Sequence, residues 1–266
     1  MNISENSPPT SSSGKRQAGR PIDRLRPLSF ERRYTRYAEG SVLVVWGETR
    51  VLCTASVEEK APIFLKGTDR GWITAEYAML PRATDRRTPR PSSGKISGRS
   101  AEIQRLIGRS LRAGVDLSQL GPRTITVDCD VLQADGGTRT AAINGGFVAL
   151  ADALRLLVQN GVLRQLPLIS VISAVSAGKL KTENLENEIY LDLDSGEDRA
   201  AEVDFNVVMN HRGDFVEMQG TGEDGFFSRR EMNRILDLCE QGCNEIRRIQ
   251  LEVLDFSTEE KSSLAF

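Results

Sequence analysis

The chain has 266 residues, 39% of them hydrophobic and 27% charged, which buries a sizeable core and excludes disordered or collagen-like classes. Lys and Arg (35) nearly balance Asp and Glu (37), yet 28 of the 35 bases are Arg, the side chain whose planar fork suits phosphate and carboxylate. One histidine, His211, excludes paired-histidine metal motifs, and the four cysteines (Cys53, Cys129, Cys239, Cys243) form no CxxC pair and read as buried thiols of a reducing, cytoplasmic setting.

Residues 1–19 are rich in Ser, Pro and polar side chains and are expected to form a flexible tail. Residues 20–36 are strongly basic, suiting either a solvated entry segment or part of a polyanion surface. Two apolar β-branched runs, 41–47 and 49–57, meet at Gly47-Glu48 and predict a hairpin; 71–81 predicts a third strand. Residues 81–99 carry Pro, Ser, Gly and many Arg without period, which marks a long loop. In 100–116, Ile103, Leu106, Ile107 and Leu111 form the apolar stripe of an amphipathic helix. Residues 124–133 alternate strictly, with Ile125, Val127, Cys129 and Val131 on one face of a half-buried strand. A helix through 147–161 begins in small residues, 166–178 predicts a strand, and 182–198 reads as an acidic hairpin. Strands over 200–210 and 214–222 flank His211-Arg212-Gly213, and a long helix starts at Ser228, whose pairing with Glu231 is a capping box. Strand clusters broken by helices place the chain in the α+β class, with one domain over 20–256 and a C-terminal tail over 257–266. No uninterrupted apolar run approaches the roughly 18 residues that span a bilayer, so no membrane partner is expected.

Three constellations carry chemistry. Asp135-Gly136-Gly137-Thr138-Arg139-Thr140 lies between a strand and a helix. Its glycines permit a tight backbone, the helix start offers N–H groups, and Thr138 and Arg139 add donors, all of which suit a phosphate; an ordinary turn has the same glycines. From Arg82 to Arg112 there are nine bases (Arg82, Arg86, Arg87, Arg90, Lys95, Arg99, Arg105, Arg109, Arg112) against Asp85 and Glu102, an excess that calls for a polyanion. The stretch has no aromatic residue, so it suits a grip on phosphates and not base stacking. From Thr182 to Asp204 nine carboxylates face a single Arg199. Asp198 and Asp204 share parity and meet on one face if the chain stays extended, where they would serve as hard oxygen ligands for Mg²⁺ or as an acid–base pair; a solvated sheet face has the same pattern.

From about Gly19 to about Phe256 the chain resembles the ribonuclease PH family. The matching stretches are LRPLSFERRYTRYAEGSVLVVWGETRVLCTASVEE, GWITAEYAMLPRAT, EIQRLIGRSLRA, VDCDVLQADGGTRTAAI, SGEDRAAEVDFNVVM and EMQGTGE. The resemblance implies the α+β RNase PH core, with β-α-β units and two sheets packed with helices. It implies a phosphate-dependent 3′-to-5′ exoribonuclease (a tRNA nucleotidyltransferase) that trims tRNA precursors, releases nucleoside diphosphates and runs in reverse. Inorganic phosphate, the co-substrate, would sit on Arg99, Gly137, Thr138 and Arg139. Asp198 and Asp204 would be catalytic and hold Mg²⁺, and Arg82, Arg86, Arg87 and Arg90 would grip RNA. The assembly implied is a cytoplasmic homohexamer, a trimer of dimers. The loop departs from the family pattern at Pro91 and Ser97. A hydrolytic metal-dependent exonuclease leaves the Gly-Gly-Thr-Arg run without a task; a non-catalytic RNA-binding ring subunit leaves the joint presence of Arg99, Arg139, Asp198 and Asp204 without one.

Overall fold

The computed structural model describes residue 16 and residues 19–90, 97–181 and 187–264. The strand runs expected from alternation form as two sheets. The first holds β1 (Leu28–Arg32), β2 (Gly40–Trp46), β3 (Thr49–Glu58), β4 (Trp72–Met79) and β5 (Thr124–Gln133), in the order β1-β2-β3-β5-β4. Only β4 and β5 pair in parallel, because α1 (Gly98–Arg112) carries the chain across between them. The second sheet holds β6 (Ile172–Lys181), β7 (Asn187–Leu191), β8 (Ala201–Asn210) and β9 (Phe215–Gly222), antiparallel throughout, in the order β7-β6-β8-β9.

Helix α2 (Thr138–Gln159) joins the sheets, contacting β2, β3 and β5 on one side and β6 on the other. Its small residues make this close approach possible. A side chain at Gly145 would begin 2.2 Å from Val44 Cγ2. Asn144 clasps the backbone of Ala174, donating to its carbonyl at 2.8 Å and accepting its N–H at 2.9 Å, so both ends of a buried amide hold helix to strand. Phe147 is fully buried, and its truncation to Ala would cost about 3–5 kcal/mol. By length and hydropathy α2 could cross a membrane, but most of it is buried in the core. All four cysteines are free and buried, as expected.

Helix α4 (Arg229–Leu254) packs against β6, β7 and β8, with Gly242 over Leu191 and Val175. The capping box expected at Ser228 and Glu231 is formed, and Lys179 pairs with the same Glu231 at 2.8 Å. Lys179 and the Ser228 amide and hydroxyl hold the Glu231 carboxyl down at about 2.

Several expectations change. Helix α2 begins at Thr138, nine residues before the expected start at 147, and β6 covers Ile172–Lys181 where 166–178 was expected. Part of the acidic hairpin is the helix α3 (Ser195–Ala200), capped by Asp194, whose side chain accepts from Gly196 and Glu197 N–H. Residues 257–264, expected as tail, carry α5 (Thr258–Ser263); its Glu260 pairs with Arg155 at 2.6 Å and Leu264 is buried. Within 1–19, Arg16 is buried and bonded to Glu197 at 3.0 Å, while residues 1–15, 17 and 18 lie outside the described residues. β1 was not anticipated; it extends the first sheet beside β2.

Candidate active site

The Gly-Gly turn is locked by its neighbours. Gly136 and Gly137 both take left-handed backbone, at φ +79° and +65°, which an L side chain rarely adopts. A Cβ on Gly136 would lie 2.4 Å from the Leu193 carbonyl oxygen and 2.6 Å from the Asp194 carbonyl carbon, so the turn seats directly on the short connection between β7 and α3. Gly137 is the N-cap of α2, and no side chain caps that helix. The first-turn N–H groups and the positive end of a 22-residue helix are therefore turned toward the site without a side-chain partner.

Arg26 fixes the turn from below. Its guanidinium donates to the Asp135 carbonyl and, at 3.4 Å, to the Gly136 carbonyl, and it forks onto Asp192 at 2.7 Å. Asp192 is almost fully buried and also accepts from the Trp46 indole N–H at 2.9 Å and the Arg26 backbone N–H at 2.6 Å. Thr49 adds a hydroxyl bond to the Gly136 carbonyl at 2.7 Å. The carbonyls of the turn are thus tied down on one side, leaving its opposite side to the cavity.

That cavity, of about 630 Å³, contains every residue expected to bind phosphate or act on it: Arg99, Gly137, Thr138, Arg139, Asp198 and Asp204. Arg99 stands in the first turn of α1, which Ser97 caps by accepting the Ser100 N–H at 3.0 Å; the helix begins one residue before Arg99, not after it. Asp198 reaches the cavity from α3 and Asp204 from β8, so the pair meets through a helix and a strand and not along one extended run. Val203, Phe205 and Val207 are buried as alternation required, while Asp204 and Asn206 point to the site.

The electrostatics are mixed by design of the fold. Burial raises the Asp204 pKa above the usual carboxylate value; Arg139 and Arg99 pull it down and Asp198 and Glu223 push it up. A carboxylate that burial and two acidic neighbours disfavour is one a cation would relieve, and two oxygen donors beside a phosphate seat fit Mg²⁺, which takes one or two carboxylates and completes its shell with phosphate oxygens and water. Among the described residues no group of three or more His, Cys, Asp or Glu side chains forms a metal cluster.

The four arginines expected to grip RNA, Arg82, Arg86, Arg87 and Arg90, are exposed and do not line the cavity; their loop contributes Thr84 and Asp85 to its wall. Lys95, Pro91, Glu183 and Glu186 lie outside the described residues. His211 bonds Ser170 at 2.7 Å and is not part of the site. Several participants were not anticipated. The Tyr77 hydroxyl bonds the Thr138 hydroxyl at 2.8 Å, Ser195 donates to Asp135 at 2.7 Å, and Arg139 reaches Gln219 at 3.4 Å. Burial raises the Tyr77 pKa against the pull of the Thr138 bond and of Arg99 and Arg139, so the phenol stays protonated.

Comparison with known proteins places the whole chain. The chain matches the models of the 3′ exoribonuclease family, domain 1 over residues 24–155 and domain 2 over residues 170–242. It is 54% identical over 240 residues to ribonuclease PH of Bacillus velezensis, covering 90% of this chain and 96% of that one. It is also 54% identical over 246 residues to ribonuclease PH of Bacillus subtilis, covering 92% and 99%. Among solved structures, an Archaeoglobus fulgidus exosome with RNA bound to the active site aligns with TM-score 0.74 at 23% identity, over 88% of this chain and 92% of that one. Rice Rrp46 aligns with TM-score 0.71 at 19% identity, over 90% and 100%. At these lower identities the likeness is one of fold.

Proposed function

The chain belongs to the ribonuclease PH family and is a phosphate-dependent 3′-to-5′ exoribonuclease, and from that premise we propose which residues perform each part of the reaction. Arg99 and the run Gly137-Thr138-Arg139 hold inorganic phosphate. An oxygen of that phosphate attacks the phosphorus of the last phosphodiester, the bond to the 3′-oxygen of the penultimate nucleotide breaks, and a nucleoside diphosphate leaves. The leaving 3′-oxygen takes up the proton that the attacking hydrogen phosphate carries in, relayed by one carboxylate of the Asp198–Asp204 pair. The other would hold Mg²⁺, which when bound would offset charge on the phosphoryl oxygens. One phosphate–oxygen bond replaces another, so the step lies near equilibrium and runs backward at high diphosphate.

The observation that carries this assignment is the convergence, in one cavity, of a helix start without a side-chain cap, two arginines and two carboxylates drawn from α1, α2, α3 and β8. Arg82, Arg86, Arg87 and Arg90 lie outside that cavity on an exposed loop, which suits a grip on the RNA backbone upstream of the reacting end. The substrate is the 3′ end of RNA, chiefly of tRNA precursors. The active form is a homohexamer, a trimer of dimers. Large apolar side chains left open on the single chain, among them Tyr37 and Ile63 at 87% exposure and Phe64 at 66%, support association. The buried free thiols fit the cytoplasm.

Arg139→Ala tests the phosphate seat. Phosphorolysis should fall by about a hundredfold or more, while RNA binding measured without phosphate stays within a fewfold. Full phosphorolysis by that variant would remove the assignment.

A further inference from the structure

The back wall of the cavity holds a hydroxyl that the scheme above leaves idle. Ser176 stands on β6, opposite Asn206 of β8, and lines the cavity. Its Oγ is shielded from solvent and has no hydrogen-bond partner among the described residues. Its neighbours of the same parity on β6 are Ala174 and Gly178, which bring no polar side-chain atom to that face. A serine placed there loses water and gains no bond, so for packing alone an alanine serves better. Such an unpaired group calls for a partner that arrives later.

The position of the hydroxyl indicates the partner. A Cβ built on Gly137 would lie 3.8 Å from Ser176 Oγ and 3.2 Å from Arg26 Nη2, so the hydroxyl borders the backbone of the α2 N-cap itself. Arg26 is already committed to Asp192 and to the turn carbonyls. Ser176 is the donor left over, and a hydroxyl beside a helix start is complementary to an anion with several acceptor oxygens.

We propose that Ser176 is a further phosphate-binding residue, donating its hydroxyl hydrogen to an oxygen of the attacking inorganic phosphate. The inference rests on the phosphate seat assigned to Gly137, Thr138 and Arg139 and adds a contact from the second sheet. It also has a signature that a structural serine lacks. Removing an unpaired buried hydroxyl leaves the unliganded fold as stable as before or more so, while it weakens phosphate binding.

The test uses the full chain with Ser176→Ala, Ser176→Cys and, in parallel, Arg139→Ala. Phosphorolysis is followed across a phosphate titration, RNA affinity is measured without phosphate, and thermal unfolding is recorded with and without inorganic phosphate. The proposal expects the Ser176→Ala KM for phosphate to rise about ten- to a hundredfold, the effect of one hydrogen bond to a charged group. RNA affinity should hold, the phosphate-free Tm should be equal to or above that of the parent, and the rise in Tm given by phosphate should shrink. Ser176→Cys, a weaker donor, should fall between. An unchanged KM for phosphate in Ser176→Ala would overturn the proposal, and so would a lowered Tm with RNA and phosphate affinity falling together. If Arg139→Ala also kept the parent's KM for phosphate, the seat itself would be wrong; if only Ser176→Ala did, the seat stands and the added contact is refuted.

Discussion

Arg26→Met removes the guanidinium that ties the phosphate-seat turn to the core while keeping an unbranched stem of similar length. In the parent, burial works against the Arg26 charge, but Asp192 outweighs it and the guanidinium pKa is raised. Substitution leaves the Asp192 carboxylate, with a side chain 1% exposed, without its main counter-charge. Breaking a buried pair from one side costs about 3–5 kcal/mol. Asp192 keeps the Trp46 indole at 2.9 Å, the residue 26 backbone N–H at 2.6 Å and Arg20 at 3.5 Å, which places the expected loss near 3 kcal/mol, the lower end of that range. Domains have about 5–15 kcal/mol in all, so the variant should fold. Urea unfolding read by tryptophan fluorescence reports on this contact directly, because Trp46 is one of two tryptophans. With a slope of about 3 kcal/mol per molar, the midpoint should drop by about 1 M. The Asp135 carbonyl loses its Arg26 donor at the same time, and the Gly136 carbonyl keeps only Thr49, so the KM for phosphate should rise more than RNA affinity falls. Adding Asp192→Asn to Arg26→Met removes the stranded charge and should recover part of the lost stability. A stability loss under about 1 kcal/mol with an unchanged KM for phosphate would refute the role given to Arg26.

Asp204→Asn should abolish most activity, by about a hundredfold or more, yet stabilise the protein in chelator at neutral pH. The raised Asp204 pKa means the folded chain binds that proton more tightly than the unfolded chain does, so its ionisation lowers stability as pH rises from the ordinary carboxylate value through the folded one; unfolding at pH 7 and at pH 3 checks that the gain disappears in acid. Glu231→Ala should cost about 1 kcal/mol at pH 7 through loss of the α4 capping box. The parent's Glu231 pKa is depressed to about 2, so that contribution is present above the unfolded carboxyl value of 4.5 and fades as pH falls toward 2, where parent and variant should converge in a denaturation series. Arg86→Ala and Arg90→Ala should weaken RNA binding without raising the KM for phosphate, each lowering the salt slope of RNA binding by about 0.7 if it contacts one phosphate of a single strand; an unchanged slope would remove the loop from the RNA path.

The parts of the fold that repeat over many residues were legible in the chain itself. β5 alternates for ten residues and forms as expected, and the small-residue start of α2 proved to be what lets the helix approach β2 and β3. Short elements were missed because they offer too few turns for a period to show. Yet α3 and α5 both carry the signature that located α4. Asp194 with Glu197, and Ser257 with Glu260, repeat the spacing of Ser228 with Glu231, with side-chain-to-backbone bonds in both directions. Among site residues, Gly137, Thr138 and Arg139 were visible because they are contiguous and sit at a helix start. Arg26, Tyr77 and Ser176 were not, because their roles depend on distant partners. Arg26 meets Asp192 across 166 positions and Tyr77 meets Thr138 across 61. Ser176 reads as one more small residue in a β run; its meaning lies in the bond it does not make.

The most direct test of the account identifies what leaves the RNA end. The protein is incubated with a 3′-tailed RNA and Mg²⁺, with and without inorganic phosphate, and the released nucleotides are separated. The account predicts nucleoside diphosphates, formed only when phosphate is present and in amounts matching the shortening of the RNA. Nucleoside monophosphates released at the same rate without phosphate would contradict it.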